Sequence, residues 1–262
     1  MKRFTLIRRT PLSPRSALVA SLMLATVGLS APSAVAQSAS PAFDPAETEA
    51  IESIVRNYIL EHPEIIMEAM SILQTRQQEE EMARQQQQLV ALEDEIFQSP
   101  SSPVIGNPEG DVTLVEFFDY QCGYCKRMLE PVQELVREDD GLRLVMKEFP
   151  ILGPESIVAA RASLAAEMQG LYAEFHNALM GHRGRLTEEV IFSVAEDVGL
   201  DVDQLKEDME SEAVEQEITA NLRLARQLGV NGTPAFVIGE QLIPGAVGEE
   251  VLRDLIAEER NG

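Results

Sequence analysis

The chain contains two cysteines among 262 residues, three positions apart, in Cys122-Gly123-Tyr124-Cys125. On one helical turn such a pair can close a disulfide, and its thiolate form attacks disulfides in other molecules. The run Val112-Thr113-Leu114-Val115-Glu116-Phe117-Phe118 reads as a buried strand, and the residues from Cys122 to Arg137 read as a helix. A cysteine opening a helix lies beside unsatisfied backbone N–H groups and the positive end of the helix dipole, which favour a thiolate. Cys122 is therefore the expected nucleophile. Cys125, one turn on and less exposed, is the expected resolving thiol. A zinc site would need two more ligands, but His62, His176 and His182 show no paired spacing,. No metal site is expected, and these histidines read as ordinary core or surface residues.

Two further features bear on thiol chemistry. Glu116 stands six residues before Cys122 on the expected strand, where a buried carboxylate is costly unless it has a task or a partner,. It could take the proton of Cys125, with Lys147 on the next strand as its ion-pair partner, or it could point outward on an alternating strand. Thr233-Pro234 immediately precedes the apolar run Ala235-Phe236-Val237-Ile238. That proline either starts a strand in the ordinary way or forms a cis peptide in a tight turn, and periodicity does not choose between them.

The rest of the chain must position these residues. Lys2, Arg3, Arg8, Arg9 and Arg15, an apolar run from Ala17 to Leu29 and Ala34-Val35-Ala36 read as residues 1–36 of a secretory signal peptide, cleaved after Ala36,. No cysteine follows that site for lipid attachment, so a soluble mature protein is expected. Losing the leader removes five cations and no acids, leaving 16 Lys and Arg against 44 Asp and Glu and moving the net charge from -23 to -28. Such a charge disfavours nucleic acid and anionic membrane surfaces.

Residues 37–98 are expected to form a helical segment, with a break near Pro63 and a Gln-, Glu- and Arg-rich stretch from Gln74 to Gln88,. Its sparse apolar stripe lies either against the following domain or against other copies of the chain, and the second, a homo-oligomer, is the favoured expectation. Residues 99–111, rich in Ser, Pro and Gly, read as a linker,. Residues 112–262 then give a strand, a helix, a strand from Leu142 to Phe149, a helical stretch to about Asp208, another helix, two short strands and a closing helix. The expected fold class is α/β: a thioredoxin-like fold with a helical insertion, preceded by an N-terminal α-helical extension.

The segment Val115-Glu116-Phe117-Phe118-Asp119-Tyr120-Gln121-Cys122-Gly123-Tyr124-Cys125-Lys126 resembles the active-site segment of DsbA-like periplasmic proteins. The resemblance extends to Lys147-Glu148-Phe149-Pro150-Ile151-Leu152-Gly153 and to Gly232-Thr233-Pro234-Ala235-Phe236. It implies that Pro234 is a cis-proline against the cysteine pair. Thr233 would offer backbone hydrogen bonds to an extended substrate, and Glu116 would be the buried acid with Lys147 its partner. The chain departs from DsbA between the cysteines, where DsbA has Pro-His, and before the proline, where DsbA has Val. Gly123-Tyr124 and Thr233 are instead similar to the disulfide isomerase DsbC, and the N-terminal helices resemble those of ScsC-type and Com1-like proteins.

The residues and the resemblance together imply a periplasmic thiol-disulfide oxidoreductase, an isomerase or reductase of exported polypeptides bearing thiols or disulfides, using no cofactor. Its membrane redox partner would be a DsbD- or ScsB-like reductase. The alternative is a dithiol oxidase served by a DsbB-like oxidant. Another reading, from a different class, is a copper-handling protein using the thiols with Met67, Met70 and Met82, or a surface antigen associated with the outer membrane,.

Overall fold

The computed structural model describes residues 43–262. The expected leader, residues 1–36 with cleavage after Ala36, lies outside the described residues. Helix α1 (Pro45–Glu61) opens with reciprocal caps: Glu47 N donates to Asp44 Oδ1 at 2.8 Å and Asp44 N to Glu47 Oε2 at 2.9 Å. Pro45 occupies the first turn, where a missing N–H removes no intrahelical bond,. This helix belongs to a compact unit that ends at Pro63. Its Ile51, Ile54, Val55 and Tyr58 are exposed.

The second unit begins at Glu64. Helix α2 (Glu64–Ala91) is polar over most of its length, and Leu89 is its one buried residue. The short α3 (Glu93–Phe97) follows and buries Ile96 completely. Five strands then build one sheet: β1 (Val104–Gly106), β2 (Val112–Phe118), β3 (Leu142–Glu148), β4 (Ala235–Ile238) and β5 (Gln241–Pro244). Their order is β1-β3-β2-β4-β5. β2 and β3 are parallel and joined through helix α4 (Gly123–Glu138), whereas the other three pairings are antiparallel.

Both faces of the sheet are covered, which explains why β2 and β3 read as nearly continuous apolar runs. On one face Leu114, Phe118, Leu144, Met146 and Phe236 pack in the core with Val132 of α4. The same core takes in Leu252 of α10 (Glu249–Asn261) and the insertion α5 (Pro154–Met168), α6 (Tyr172–Gly181), α7 (Glu188–Val198) and α8 (Val202–Asp208). On the other face Val115, Phe117, Val145 and Val237 pack with Leu224 of α9 (Glu212–Gln227), Ile96 and Leu89. The architecture is thioredoxin-like, with the helical insertion between β3 and β4, as the element order implied.

The stretch 99–111 is not a linker. Within it β1 pairs with β3, Ile105 opposite Leu144, and Met146 N donates to Pro103 O at 2.9 Å. The Pro and Gly residues that suggested a boundary instead shape an edge strand. Gly106 has φ +84, and a Cβ there would come within 2.7 Å of Leu142 O,. The end of the helical segment takes the first of its two expected courses and lies against the following domain, where Leu89 and Ile96 fill the second face of the sheet.

Candidate active site

The turn after β2 delivers Cys122 to the start of α4, where it is the N-cap residue. Cys125 N–H donates to Cys122 Sγ at 3.4 Å, so one of the helix's free amides already points at the sulfur,. Cys122 Sγ–H donates to the carbonyl of Thr233 at 3.2 Å. The Thr233–Pro234 peptide is cis, so the resemblance-based choice and not the ordinary strand-starting proline describes this bond. Residues 122, 125, 233 and 234 thus come together from two loops 111 positions apart.

The two residues between the cysteines face outward. Tyr124 is 59% exposed and its ring carries the Arg127 guanidinium 4.1 Å from the centroid,. A Cβ on Gly123 would meet nothing within 4 Å. Cys125, by contrast, is buried, and burial followed by the nearby Glu116 charge pushes its thiol well above the ordinary range,. Such a thiol waits for a base before it can act.

Glu116 occupies the sheet face beneath that thiol. Its carboxyl is 4% exposed, so it does not point outward, and burial pushes its pKa up to about 8. Glu116 and Cys125 line one cavity of about 340 Å³ together with His176. A carboxyl near neutrality beside a buried thiol is suited to accepting its proton.

Lys147 does not pair with Glu116. In the parallel register Glu116 lies opposite Met146, and Phe117 opposite Lys147, so alternation sends the two charged side chains to opposite faces,. Lys147 Nζ donates to Glu95 O at 2.9 Å and to Ser102 Oγ at 2.7 Å, and Ser102 Oγ–H donates to Glu217 Oε1 at 2.6 Å. Burial holds the lysine down at about 8. It fastens the segment before β1 to α9 across the rear of the sheet, away from the thiols.

Sequence reasoning does not single out three residues at the site. Asp119, 1% exposed, accepts from Gln121 N and Ser156 Oγ through Oδ1, both at 2.8 Å. Its Oδ2 accepts from Ile151 N at 2.8 Å and Leu152 N at 3.0 Å. One carboxylate therefore ties the cysteine turn to the loop after β3. Glu148 Oε1 accepts from Tyr120 and Tyr172 hydroxyls at 3.0 and 2.9 Å, while the Tyr120 oxygen lies 3.0 Å from His176 Nδ1. His176 reads in the sequence as an ordinary histidine, yet burial depresses it to about 3, so a neutral imidazole lines the cavity behind Cys125. An Asp and a Glu flanking an apolar strand pair were the available signals.

With this geometry in view, residues 113–257, more than half of the chain, match the model of the DSBA-like thioredoxin domain. The chain belongs to that family. Ahead of that domain, residues 47–80 match the model of the copper resistance protein ScsC N-terminal domain. Among solved structures, a thioredoxin-like oxidoreductase from Silicibacter pomeroyi DSS-3 is 50% identical with a TM-score of 0.63, covering 64% of this chain and 98% of that one. The thiol-disulfide exchange protein alpha-DsbA2 from Wolbachia pipientis is 31% identical with a TM-score of 0.64, covering 68% of this chain and 97% of that one. Proteus mirabilis ScsC in a transitional conformation is 27% identical with a TM-score of 0.62, covering 84% and 99%.

The chain spans about a quarter of the length of the curated relatives it matches. The Na(+)/H(+) antiporter NhaA 1 of Salinispora arenicola is 32% identical over 151 residues, 57% of this chain and 23% of that protein. Among the described residues no helix is long and apolar enough to cross a membrane. As for the methionines, Met67, Met70 and Met82 are all exposed on α2. Met82 stands about 18 Å along the helix from Met70 at the standard rise, so the three cannot share one ion. Among the described residues no group of three or more His, Cys, Asp or Glu is placed to hold a metal.

Proposed function

We propose that this protein is an exported thiol-disulfide oxidoreductase that reduces or isomerises disulfides in other exported polypeptides. The observation that supports it best is the placement of Cys122 Sγ, capped by Cys125 N–H and 3.2 Å from the Thr233 carbonyl of the cis-proline loop. The Cys122 thiolate attacks one sulfur of a substrate disulfide. A Cys122–substrate disulfide forms and the second substrate sulfur leaves as a thiolate. In isomerisation a substrate thiolate then attacks the substrate sulfur of that bond and regenerates Cys122. When the complex stalls, Cys125 gives its proton to the Glu116 carboxylate and attacks Cys122, so that substrate leaves reduced and the protein holds the Cys122–Cys125 disulfide. Two electrons from a membrane reductase, of the DsbD or ScsB kind, restore the dithiol. Gly123 and Tyr124 flank the bound substrate, and Thr233 supplies backbone hydrogen bonds to it.

The periplasm is the compartment this chemistry needs, and the basic, apolar and small-residue order of residues 1–36 supports export to it,. The exposed apolar residues of α1 support assembly of several copies, which would place several redox sites around one substrate,. The paired ribonuclease assay tests the direction of electron flow. The reduced full-length protein is expected to reactivate scrambled ribonuclease. Failure there, combined with rapid oxidation of reduced ribonuclease by the disulfide form, would replace this reading with the dithiol oxidase.

A further inference from the structure

Five segments converge on Cys122, each tied in by a hydrogen bond. Residues 121–127 contain it. Thr233 O of 229–234 accepts from its sulfur, and Gly245 N of 244–248 donates to Pro234 O at 2.8 Å. Ile151 and Leu152 of 149–153 donate to Asp119. The loop 181–187 is held twice, by Gln121 Nε2 donating to Leu186 O at 3.1 Å and by Lys126 Nζ donating to His182 O at 2.8 Å.

None of these five segments contains an aspartate or glutamate, in a chain carrying 44 of them, yet they hold Lys126, Arg127, Arg183 and Arg185. Arg127 and Arg183 are exposed, and neither has a carboxylate partner among the described residues. Arg127 is parked on the Tyr124 ring. Of the acids bordering the segments, half-buried Glu155 pairs with Arg185 and half-buried Glu249 with Arg253, while Glu130, Glu188, Glu189 and Glu250 are exposed just outside them. The segments nearest Cys122 thus carry unpaired Arg127 and Arg183 and no acid of their own, with exposed Ile151 and Leu152 beside them. Two unpaired arginines beside the sulfur attract opposite charge at close range.

We propose that this face selects cysteines flanked by acidic residues, so that the preferred substrate is an acidic polypeptide segment whose carboxylates meet Arg127 and Arg183 while its disulfide meets Cys122. This rests on the exchange chemistry proposed for Cys122. Steering by the two arginines raises the local concentration of acidic segments and fades as salt shortens the Debye length from about 10 Å at 0.1 M to about 3 Å at 1 M.

The test uses the full reduced chain and two short peptides of equal length. Each carries one cysteine as a mixed disulfide with thionitrobenzoate, flanked by Asp and Glu in one peptide and by Lys in the other. Attack by Cys122 joins peptide to protein and releases the coloured thionitrobenzoate. At low ionic strength the acidic peptide is expected to react about tenfold faster. The ratio should approach one at high salt and in an Arg127→Ser, Arg183→Ser double variant. Equal rates at low salt, or a ratio that survives the double substitution, would overturn the proposal. Release of colour from neither peptide would instead remove the exchange reading itself.

Discussion

Glu116 and Lys147 stand on adjacent strands of one sheet and project to opposite faces of it. The carboxyl that shares a cavity with the Cys125 thiol therefore lacks a buried cation, and its raised pKa of about 8 follows from burial with nothing to offset it,. The folded value exceeds the unfolded one, so the folded state keeps a proton that the unfolded chain has released. The resulting stability is whole below about pH 4.5 and is lost as pH rises through about 8,. Glu116→Gln should remove this dependence. Denaturant titrations at pH 5 and pH 8 should show the variant gaining on the parent by a few kcal/mol across that interval.

Glu116→Gln should also slow resolution of a trapped mixed disulfide by Cys125, by about a hundredfold at neutral pH if the carboxylate is the base. The first attack by Cys122 should be nearly unchanged. Rapid-quench separation of the two steps checks this, and equal slowing of both would argue that Glu116 acts on the structure of the site as a whole.

Lys147→Met should behave in the opposite way. Glu217 would lose the ammonium that reaches it through Ser102, and the protein should lose about 2–3 kcal/mol of stability,. Thiol exchange per folded molecule should stay within about twofold of the parent, since Lys147 lies across the sheet from Cys125. A large loss of exchange with little loss of stability would restore the lysine to the thiol chemistry.

The separation of the two units at Pro63 decides where the chain can be cut. Deleting residues 37–63 should lower the oligomer mass in light scattering and leave the remaining fold intact. Deleting 37–98 also removes Leu89 and Ile96 from the second core. It should cost a further several kcal/mol, since each such side chain contributes about 1.5–3 kcal/mol on burial. Equal melting temperatures for the two truncations would contradict that packing.

Much of the site is legible in the sequence because its parts are local. Strand, cysteine turn and helix follow one another between Val112 and Glu138, and Val112–Phe118 and the α4 apolar stripe announce their own periods. The Glu116–Lys147 pairing fails because sequence gives the alternation of each strand but not the register between them. One residue of shift exchanges the faces, and the register here sets Lys147 beside Phe117,. β1 escapes a reading of the sequence for a different reason. Three residues between turn formers carry too short a pattern to read, and what makes them a strand is the free edge of β3,. His176 has no sequence partner within reach, and its place behind Cys125 arises only when the insertion folds over the sheet.

His176 makes acid sensitivity a further readout. Its folded pKa of about 3 lies below the usual 6.5, so the stability it contributes is present above about 6.5 and drains away as pH falls toward 3,. In that window His176→Gln should lose stability less steeply than the parent, by up to about 1.4 kcal/mol per pH unit. Parallel acid-denaturation curves for the two proteins would mean that the imidazole is already charged in the fold.

The open space over Gly123 leaves that position of the cysteine turn outside the constraints that bind Cys122 and Cys125. Cys122 is fixed by its cap, Cys125 by the core, and Pro234 by the loop that faces them. At Gly123, and at the outward-facing Tyr124, natural variation meets no packing penalty. Substitution at these two positions therefore leaves the architecture that presents the Cys122 sulfur as it was.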